Sequence, residues 1–267
     1  MGSRKSTTGA QGDLDGDGDI DAFVANNFNS ATNSLGGPNK VWLNSTVVGN
    51  QPPAISADND PVVVDEGDTA NNTGTVSDAD EDTVTLSASN GTVVNNGDGT
   101  WSWSFDTADG PDDSQTIKIT ANDSNEGITS TQFVLSVNNT APNCSNASPS
   151  QNSLWPPNLK FATITIGGVT DVGGDTVSIS IDSIWQDEAV NGKGDGNTSP
   201  DGAGVGTNAA EVRADRSGKG DGRVYSIVFS AADEAGATCT GSVEVGVPHD
   251  KKDTAVNSGT TINSIPE

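Results

Sequence analysis

The stretch Asn96-Gly97-Asp98-Gly99-Thr100-Trp101-Ser102-Trp103-Ser104-Phe105 decides the fold. Its first four residues favour a tight hairpin turn, because asparagine, aspartate and glycine tolerate the positive φ that such turns need. In the second half, Trp101, Trp103 and Phe105 alternate with other residues. Successive side chains of a strand point to opposite faces of the sheet, so all three aromatic rings share one face. The stretch therefore predicts a hairpin turn followed by a strand whose aromatic face packs into a core.

Strand patterns of the same kind recur on both sides of this stretch, separated by turns rich in Gly, Asn and Asp. They lie at residues 62–64, 83–87, 116–120 and 131–137, and again at 160–166, 176–184, 223–230 and 240–247. Short alternating strands at regular spacing are typical of a β-sandwich. The sequence therefore predicts an all-β protein with two tandem sandwiches.

Proline-containing segments suggest where the domains end. Asn50-Gln51-Pro52-Pro53 is a stiff connector, and Ala141-Pro142 marks a second boundary. We expect an acidic β segment at 1–50, sandwiches at 51–141 and 142–249, and a polar tail at 250–267. The tail contains short Thr, Val and Ile runs that could add an edge strand to a sheet of this molecule or of a neighbour.

The charge balance limits the possible partners. The chain has 37 acidic and 12 basic residues, a net charge of −25. Nucleic acids and anionic membranes need basic surfaces, so neither is expected as a partner. Self-repulsion at this charge opposes folding unless cations neutralise it. His249 is the only histidine, and no nucleophile elbow or phosphate loop is present, so we expect no enzyme activity.

The most acidic run lies near the start of the chain. Asp13, Asp15, Asp17, Asp19 and Asp21 alternate with other residues, two of them glycine. Calcium (Ca2+) takes six to eight oxygen ligands from carboxylates and carbonyls on such a loop. We expect side-chain ligands from every one of these aspartates except Asp19, which would contribute its carbonyl. The alternative is a solvated acidic turn.

This loop has a known counterpart. Together with Ala22-Phe-Val-Ala-Asn26 and Val41-Trp-Leu-Asn44, it resembles one FG-GAP/VCBS-type repeat over residues 11–46. Such repeats are blades of calcium-binding β-propellers. The resemblance implies a single calcium-loop β segment, similar to a propeller blade, in front of the two sandwiches.

The first predicted sandwich also resembles a known class. Val64-Asp-Glu-Gly67, Ser77-Asp-Ala-Asp80 and Thr120-Ala-Asn-Asp123 are similar to segments of cadherin-like and Ig-like repeats of bacterial surface proteins. The resemblance implies an Ig-like sandwich with a second calcium site, formed by Glu66, Asp78, Asp80 and Asp123. The alternative is that these aspartates only stabilise turns.

The second predicted sandwich contains both cysteines, Cys144 and Cys239. A disulfide between them would indicate an oxidising, extracellular setting, and the alternative is two free thiols. Leu154-Trp-Pro-Pro-Asn158, Gln186-Asp-Glu188 and Arg213-Ala-Asp-Arg216 resemble an Ig-like module of secreted bacterial proteins, with Leu159 standing where that module has histidine.

A long acidic insertion, from Asp187 to Asp201, follows in the same sandwich. Long loops in compact domains are usually functional or disordered, so we predict either a third calcium site or a mobile loop. The candidate ligands are Asp187, Glu188, Asp195 and Asp201. Three arginines nearby, Arg213, Arg216 and Arg223, are expected to pair with neighbouring carboxylates.

These features predict a non-enzymatic, calcium-binding structural or adhesive protein, secreted by bacteria or held at their surface. Copies of the chain are expected to join through edge strands into a fibre or matrix, and a cell-surface polysaccharide is a further candidate partner. The alternative is a carbohydrate-binding accessory module of a larger secreted hydrolase. An exposed row of aromatic side chains would favour that alternative.

Overall fold

The computed structural model describes residues 8–12, 20–25, 40–42 and 49–266, and within them all regular structure is β. The chain divides into two compact units, residues 1–51 and residues 52–267. Among the described residues, no helix is long and apolar enough to cross a membrane.

The first unit contains a three-stranded antiparallel sheet. Its strands are β1 (Thr8–Gly12), β2 (Asp21–Ala25) and β3 (Lys40–Trp42), in the order β1-β2-β3. Gly12 pairs with Asp21 at the end of the β1–β2 ladder, so the two strands hold the ends of the predicted calcium loop close together. Asp13, Asp15, Asp17 and Asp19 lie outside the described residues, and the likeness to a propeller blade stays a prediction.

The first sandwich of the second unit has eight strands in two four-stranded sheets. The strands are β4 (Ala54–Ala57), β5 (Val62–Asp65), β6 (Thr69–Ser77), β7 (Thr85–Ala88), β8 (Thr92–Asn95), β9 (Thr100–Asp106), β10 (Gln115–Asn122) and β11 (Ile128–Asn138). One sheet has the order β4-β6-β9-β8 and the other β5-β11-β10-β7. Every pairing is antiparallel except that of β5 with β11.

The alternating aromatic residues of β9 form the core of this sandwich, as the sequence predicts. Trp101 and Trp103 are almost fully buried. The Trp101 indole N–H donates to the carbonyl of Ser56 at 3.0 Å, and that of Trp103 to the carbonyl of Asn90 at 2.8 Å. Gly74 on β6 makes room for the Trp101 ring, because a Cβ there would lie 2.5 Å from a ring carbon. Both Trp side chains therefore pack internally and are unavailable for stacking on a ligand.

The second sandwich also has two four-stranded sheets. Its strands are β12 (Ser148–Pro149), β13 (Phe161–Gly167), β14 (Ser178–Gln186), β15 (Gly202–Ala203), β16 (Ala209–Arg213), β17 (Arg223–Ala232), β18 (Thr238–Val247) and β19 (Ile262–Asn263). The sheets have the orders β12-β13-β16-β15 and β18-β17-β14-β19. Tyr225, Phe229 and Ile227 from β17 are fully buried between them.

Two long-range connections complete this sandwich. Cys144 and Cys239 form a disulfide, with their Cα atoms 5.9 Å apart, which confirms the predicted pairing. The bond ties the start of the domain to β18. The polar tail supplies β19, which pairs with the end of β14, and Ser264 of the tail is fully buried. The edge strand expected from the tail therefore lies in the chain's own sheet.

Candidate functional site

Glu66 is the buried centre of the first candidate site. It directly follows β5 and is 2% exposed. Its Oε2 accepts a hydrogen bond from the Gly110 N–H at 2.9 Å, and its Oε1 accepts from the Thr140 N–H and hydroxyl at 3.0 and 2.7 Å. Thr140 lies in the connector between the sandwiches, so these bonds hold the carboxylate in place at the junction.

Residues of the second sandwich approach the same carboxylate. A Cβ on Gly173, in the loop between β13 and β14, would lie 2.8 Å from Glu66 Oε2. Beside this contact, the Asn139 side-chain amide donates to Asp233 Oδ2 at 3.0 Å. The junction is therefore closely packed, and glycine at 173 lets the two domains approach at Glu66.

The junction gathers carboxylates from both sandwiches. Glu66, Asp109 and Asp175 each offer one oxygen, and these oxygens lie within 4.8 Å of one another. Asp109 comes from the loop between β9 and β10, whereas Asp175 comes from the loop before β14. Asp171, on the same loop as Asp175, has a buried Oδ2 that accepts no hydrogen bond from the described residues. We call the set Glu66, Asp109, Asp171 and Asp175 the junction cluster.

Protonation equilibria reflect this crowding. Burial raises the pKa of Asp109, Asp171 and Asp175 above the ordinary value, and neighbouring carboxylates, Glu66 among them, raise it further. Burial also acts to raise the pKa of Glu66, but the hydrogen bonds from Thr140 and Gly110 outweigh it and lower the value. Among the described residues, no salt bridge reaches the junction cluster.

The junction cluster differs from the second calcium site that the sequence predicts. Glu66 lies beside the start of β6, whereas Asp78 follows the end of this nine-residue strand. At about 3.3 Å per residue, β6 separates them by roughly 30 Å. Glu66 therefore does not share a site with Asp78 and Asp80, and its place in the predicted group is wrong. Asp123 lies on their side, because the side-chain amide of Asn125, two residues further on, donates to Asp82 Oδ2 at 2.8 Å.

Asp78 and Asp80 instead form a separate cluster with Asp82, with one oxygen from each within 4.8 Å of the others. Asp78 Oδ1 accepts from the backbone N–H groups of Asp80 and Asp82, at 2.9 and 3.3 Å. Asp123, only 2% exposed, accepts from the N–H groups of Asn125 and Gly127, at 2.7 and 2.9 Å. These bonds also fit the turn-stabilising role that the sequence leaves open.

The third predicted site is organised around an arginine. Arg223, fully buried at the start of β17, places Nη1 2.7 Å from Asp201 Oδ2 and Nε 3.4 Å from Glu188 Oε2. Its Nη2 lies 3.9 Å from Asp195 Oδ2. Asp187 forms no salt bridge with Arg223 and instead accepts a hydrogen bond from the Val224 N–H at 2.8 Å. Three of the four candidate ligands therefore converge on a guanidinium, and calcium binding here stays a prediction.

The expected pairing of arginines with carboxylates is confirmed for Arg223 and for Arg213, whose Nε lies 3.7 Å from Asp201 Oδ1. Arg216 donates instead to the carbonyls of Ser217 and His249. Asp215 also faces Arg223, at 3.9 Å. Burial raises the pKa of Asp215 and outweighs the hydrogen bond from Thr198 and the charge of Arg223, which both act to lower it.

Comparison with known proteins supports an Ig-like assignment for part of the chain. Residues 50–136 match the bacterial Ig domain family. Domains of that family are typically extracellular or at the cell surface, and Ig-like folds generally have no enzymatic role. No curated protein matches the chain. The match covers the first sandwich and includes none of the second.

Several solved structures match about three quarters of this chain. The Ig1+Ig2 structure of DIP-gamma is 12% identical, with 75% of this chain and 99% of that chain covered and a TM-score of 0.34. The Ig1-2 module of the Drosophila receptor protein tyrosine phosphatase DLAR is 11% identical over 73% and 98%, with a TM-score of 0.29. Titin A168169 is 13% identical over 73% and 97%, with a TM-score of 0.34.

Replacing Arg223 tests whether it holds the acidic insertion together. Arg223→Met leaves buried carboxylates without their cation, and removing one partner of a buried ion pair costs about 3–5 kcal/mol. We expect urea unfolding at neutral pH to show a loss of that size. Part of it should return on acidification, because protonation removes the unpaired charge.

Lys193→Met is the control, because Lys193 is an exposed cation on the same insertion without a salt bridge among the described residues. It should change stability by less than about 0.5 kcal/mol. Equal effects of the two substitutions would contradict an organising role for Arg223.

Proposed function

We propose that this chain is a non-enzymatic, calcium-stabilised structural or adhesive module of a secreted or cell-surface bacterial protein. The junction cluster is the observation that carries the proposal. It brings carboxylates of the two sandwiches together at a closely packed connector, where no salt bridge from the described part of the chain neutralises them. Extracellular residence is supported by the disulfide and by the bacterial Ig domain match.

Calcium suits the junction cluster chemically. Glu66, Asp109 and Asp175 are hard oxygen donors at a separation that one ion can bridge, and Asp171 adds a buried oxygen that accepts no hydrogen bond from the described residues. Burial raises the pKa of Asp109, Asp171 and Asp175, and an ion there would remove the repulsion that raises these values further. Because the ligands come from both sandwiches, binding would hold the two domains in one orientation. Such a module would transmit force or present a binding surface without bending at its connector.

The acidic loop near the start of the chain is the second proposed calcium site. Its ends are held by the Gly12–Asp21 pair of the β1–β2 ladder. An ion bound by Asp13, Asp15, Asp17 and Asp21, with the carbonyl of Asp19, would fix the loop between these strands. Two such sites would explain how a chain of charge −25 can keep its carboxylates close together.

Thermal melting with calcium and with chelator tests the junction cluster. A ligand that binds only the folded state adds RT ln(1 + [L]/Kd), about 2.7 kcal/mol per site at a hundredfold excess over Kd. We expect calcium to raise Tm by several degrees. The raised pKa values mean that the calcium-free folded state loses stability as pH rises above the ordinary Asp value. The calcium effect should therefore increase as pH rises from the ordinary Asp value to neutrality.

Asp175→Asn removes one proposed ligand and should reduce both the calcium effect and its pH dependence. Glu211→Gln, an exposed acidic residue on β16, is the matched control and should leave both unchanged. If Asp175→Asn and Glu211→Gln respond alike to calcium, the junction cluster is not a calcium site.

We further propose that copies of the chain associate through edge strands. The tail strand β19 is already paired with β14 of the same chain, so the tail is not the best segment to add a strand to a neighbouring copy. The three-stranded sheet of the first unit has β1 and β3 at its edges, and short open sheets expose unpaired backbone groups. This sheet is therefore the proposed point of contact, and calcium would screen the charge between subunits.

Light scattering at increasing protein concentration tests this assembly. The full chain should form large species with calcium and return to monomers with chelator, because unscreened charge opposes close contact. A variant comprising residues 50–267 should stay monomeric while retaining its melting transition, since residues 52–267 form a compact unit of their own. A full-length protein that stays monomeric in calcium would exclude assembly by strand addition.

A further inference from the structure

A surface groove of about 280 Å³ lies on the second sandwich, beside the segment that leads into β13. It is lined by Gln151, Trp155, Pro156, Asn158, Lys160 and Phe161, among others. Trp155 is 41% exposed and Phe161 is 38% exposed, in contrast to the buried Trp101 and Trp103. The Arg213 guanidinium lies over the Phe161 ring, 4.2 Å from its centroid, so Trp155 is the more open of the two aromatic side chains.

The segment that forms the groove is held at both ends. Leu154 is buried, and its N–H donates to the carbonyl of Gly246 at 2.8 Å. The N–H groups of Asn158 and Leu159 both donate to the carbonyl of Ala214, at 3.0 and 3.1 Å. Binding to a preorganised surface avoids the entropy cost of ordering it. The backbone of the groove is thus held in place before a ligand binds.

The polar groups left over in the groove are donors. The indole N–H groups of Trp101, Trp103 and Trp185 all donate within the protein, at 2.8–3.0 Å. The indole N–H of Trp155 has no such partner in the described part of the chain, and Lys160 forms no salt bridge there. A ligand rich in oxygen acceptors would satisfy both.

The groove also differs in charge from its surroundings. None of its lining residues is acidic, although the chain has 37 acidic residues. Three other surface grooves, of about 280–400 Å³, are each lined by at least one carboxylate. Lys160 is therefore an unpaired cation in a carboxylate-free groove of a very acidic protein, which favours a ligand with a negative charge.

We propose that this groove binds an acidic polysaccharide, through sugar rings that carry a carboxylate. The apolar face of a pyranose ring would stack on Trp155, the edge of Phe161 would border it, and Lys160 would pair with the sugar carboxylate. The Trp155 indole N–H would donate to a hydroxyl or ring oxygen. The overall charge of −25 repels such a chain at long range, but at physiological salt the Debye length is about 8 Å, so the local pairing decides.

Calorimetry with uronate hexasaccharides tests the proposal on the full chain. The probes are homopolymers of galacturonate, glucuronate and mannuronate, measured in chelator so that calcium cannot bridge sugar and protein. We expect at least one to bind, and its methyl ester, which lacks the charge, to bind about tenfold more weakly. Equal binding of acid and ester, or no binding of any uronate, would overturn the proposal.

Two substitutions locate the binding. Lys160→Gln should weaken it about tenfold, and Trp155→Ala should abolish it, whereas Lys118→Gln, an exposed lysine on the first sandwich, should have no effect. Melting curves check that each variant folds. If Trp155→Ala does not fold, the result for Lys160→Gln decides the test. Binding that neither substitution changes would overturn the assignment. Tighter binding of an acidic hexapeptide, with the same dependence on Lys160, would assign the groove to a protein partner instead.

Discussion

Repulsion between gathered carboxylates is the constraint on which the rest of this structure depends. With 37 acidic and 12 basic residues, the chain cannot neutralise its acidic side chains with its own lysines and arginines. Inside the second sandwich it does so locally, where buried Arg223 is surrounded by Asp201, Glu188 and Asp195. At the junction between the sandwiches no such cation is found among the described residues. The same repulsion is thus met by an internal cation in one place and, in our proposal, by calcium in the other.

In the second unit, the interactions that stabilise each sandwich are therefore different from those that would hold the two sandwiches together. The two cores are built from aromatic and aliphatic side chains that hold each sandwich together without metal. The disulfide and β19 then tie the ends of the second sandwich into its sheets. All of these interactions act within one sandwich, and none of them fixes one sandwich against the other. Glu66, pinned by Thr140 and Gly110, lies where a bound ion would add that restraint.

Local pattern was enough to predict much of the fold. Alternation identified the strand of Trp101 and Trp103, and the two cysteines could pair only with each other. The parallel pairing of β5 with β11 and the return of the tail to β14 depend on long-range packing, which short sequence patterns do not encode. The candidate sites likewise include some that local sequence predicts and some that depend on long-range packing. Asp78 and Asp80 are close in sequence and in space, but Asp109 and Asp175 meet Glu66 from different loops and domains.

Arg223 was predicted to pair with carboxylates, but not to lie buried at the centre of the insertion's acidic side chains. From the sequence alone, an arginine on an alternating strand is expected to be exposed, because charged side chains are seldom buried. Its burial depends on the packing of the insertion over β17, which sequence spacing alone does not reveal. The acidic residues were therefore recognised more readily than the cation that organises them.

Calcium titration by calorimetry tests the central claim most directly. The full chain should bind one ion fewer after the double substitution Asp109→Asn and Asp175→Asn, with the affinity of the remaining sites unchanged. Replacing Asp15 and Asp17 by asparagine should remove a different ion, that of the acidic loop. If the wild type and the junction double variant bind the same number of calcium ions, the junction cluster is not a calcium site, and the account of how the two sandwiches are held together is wrong.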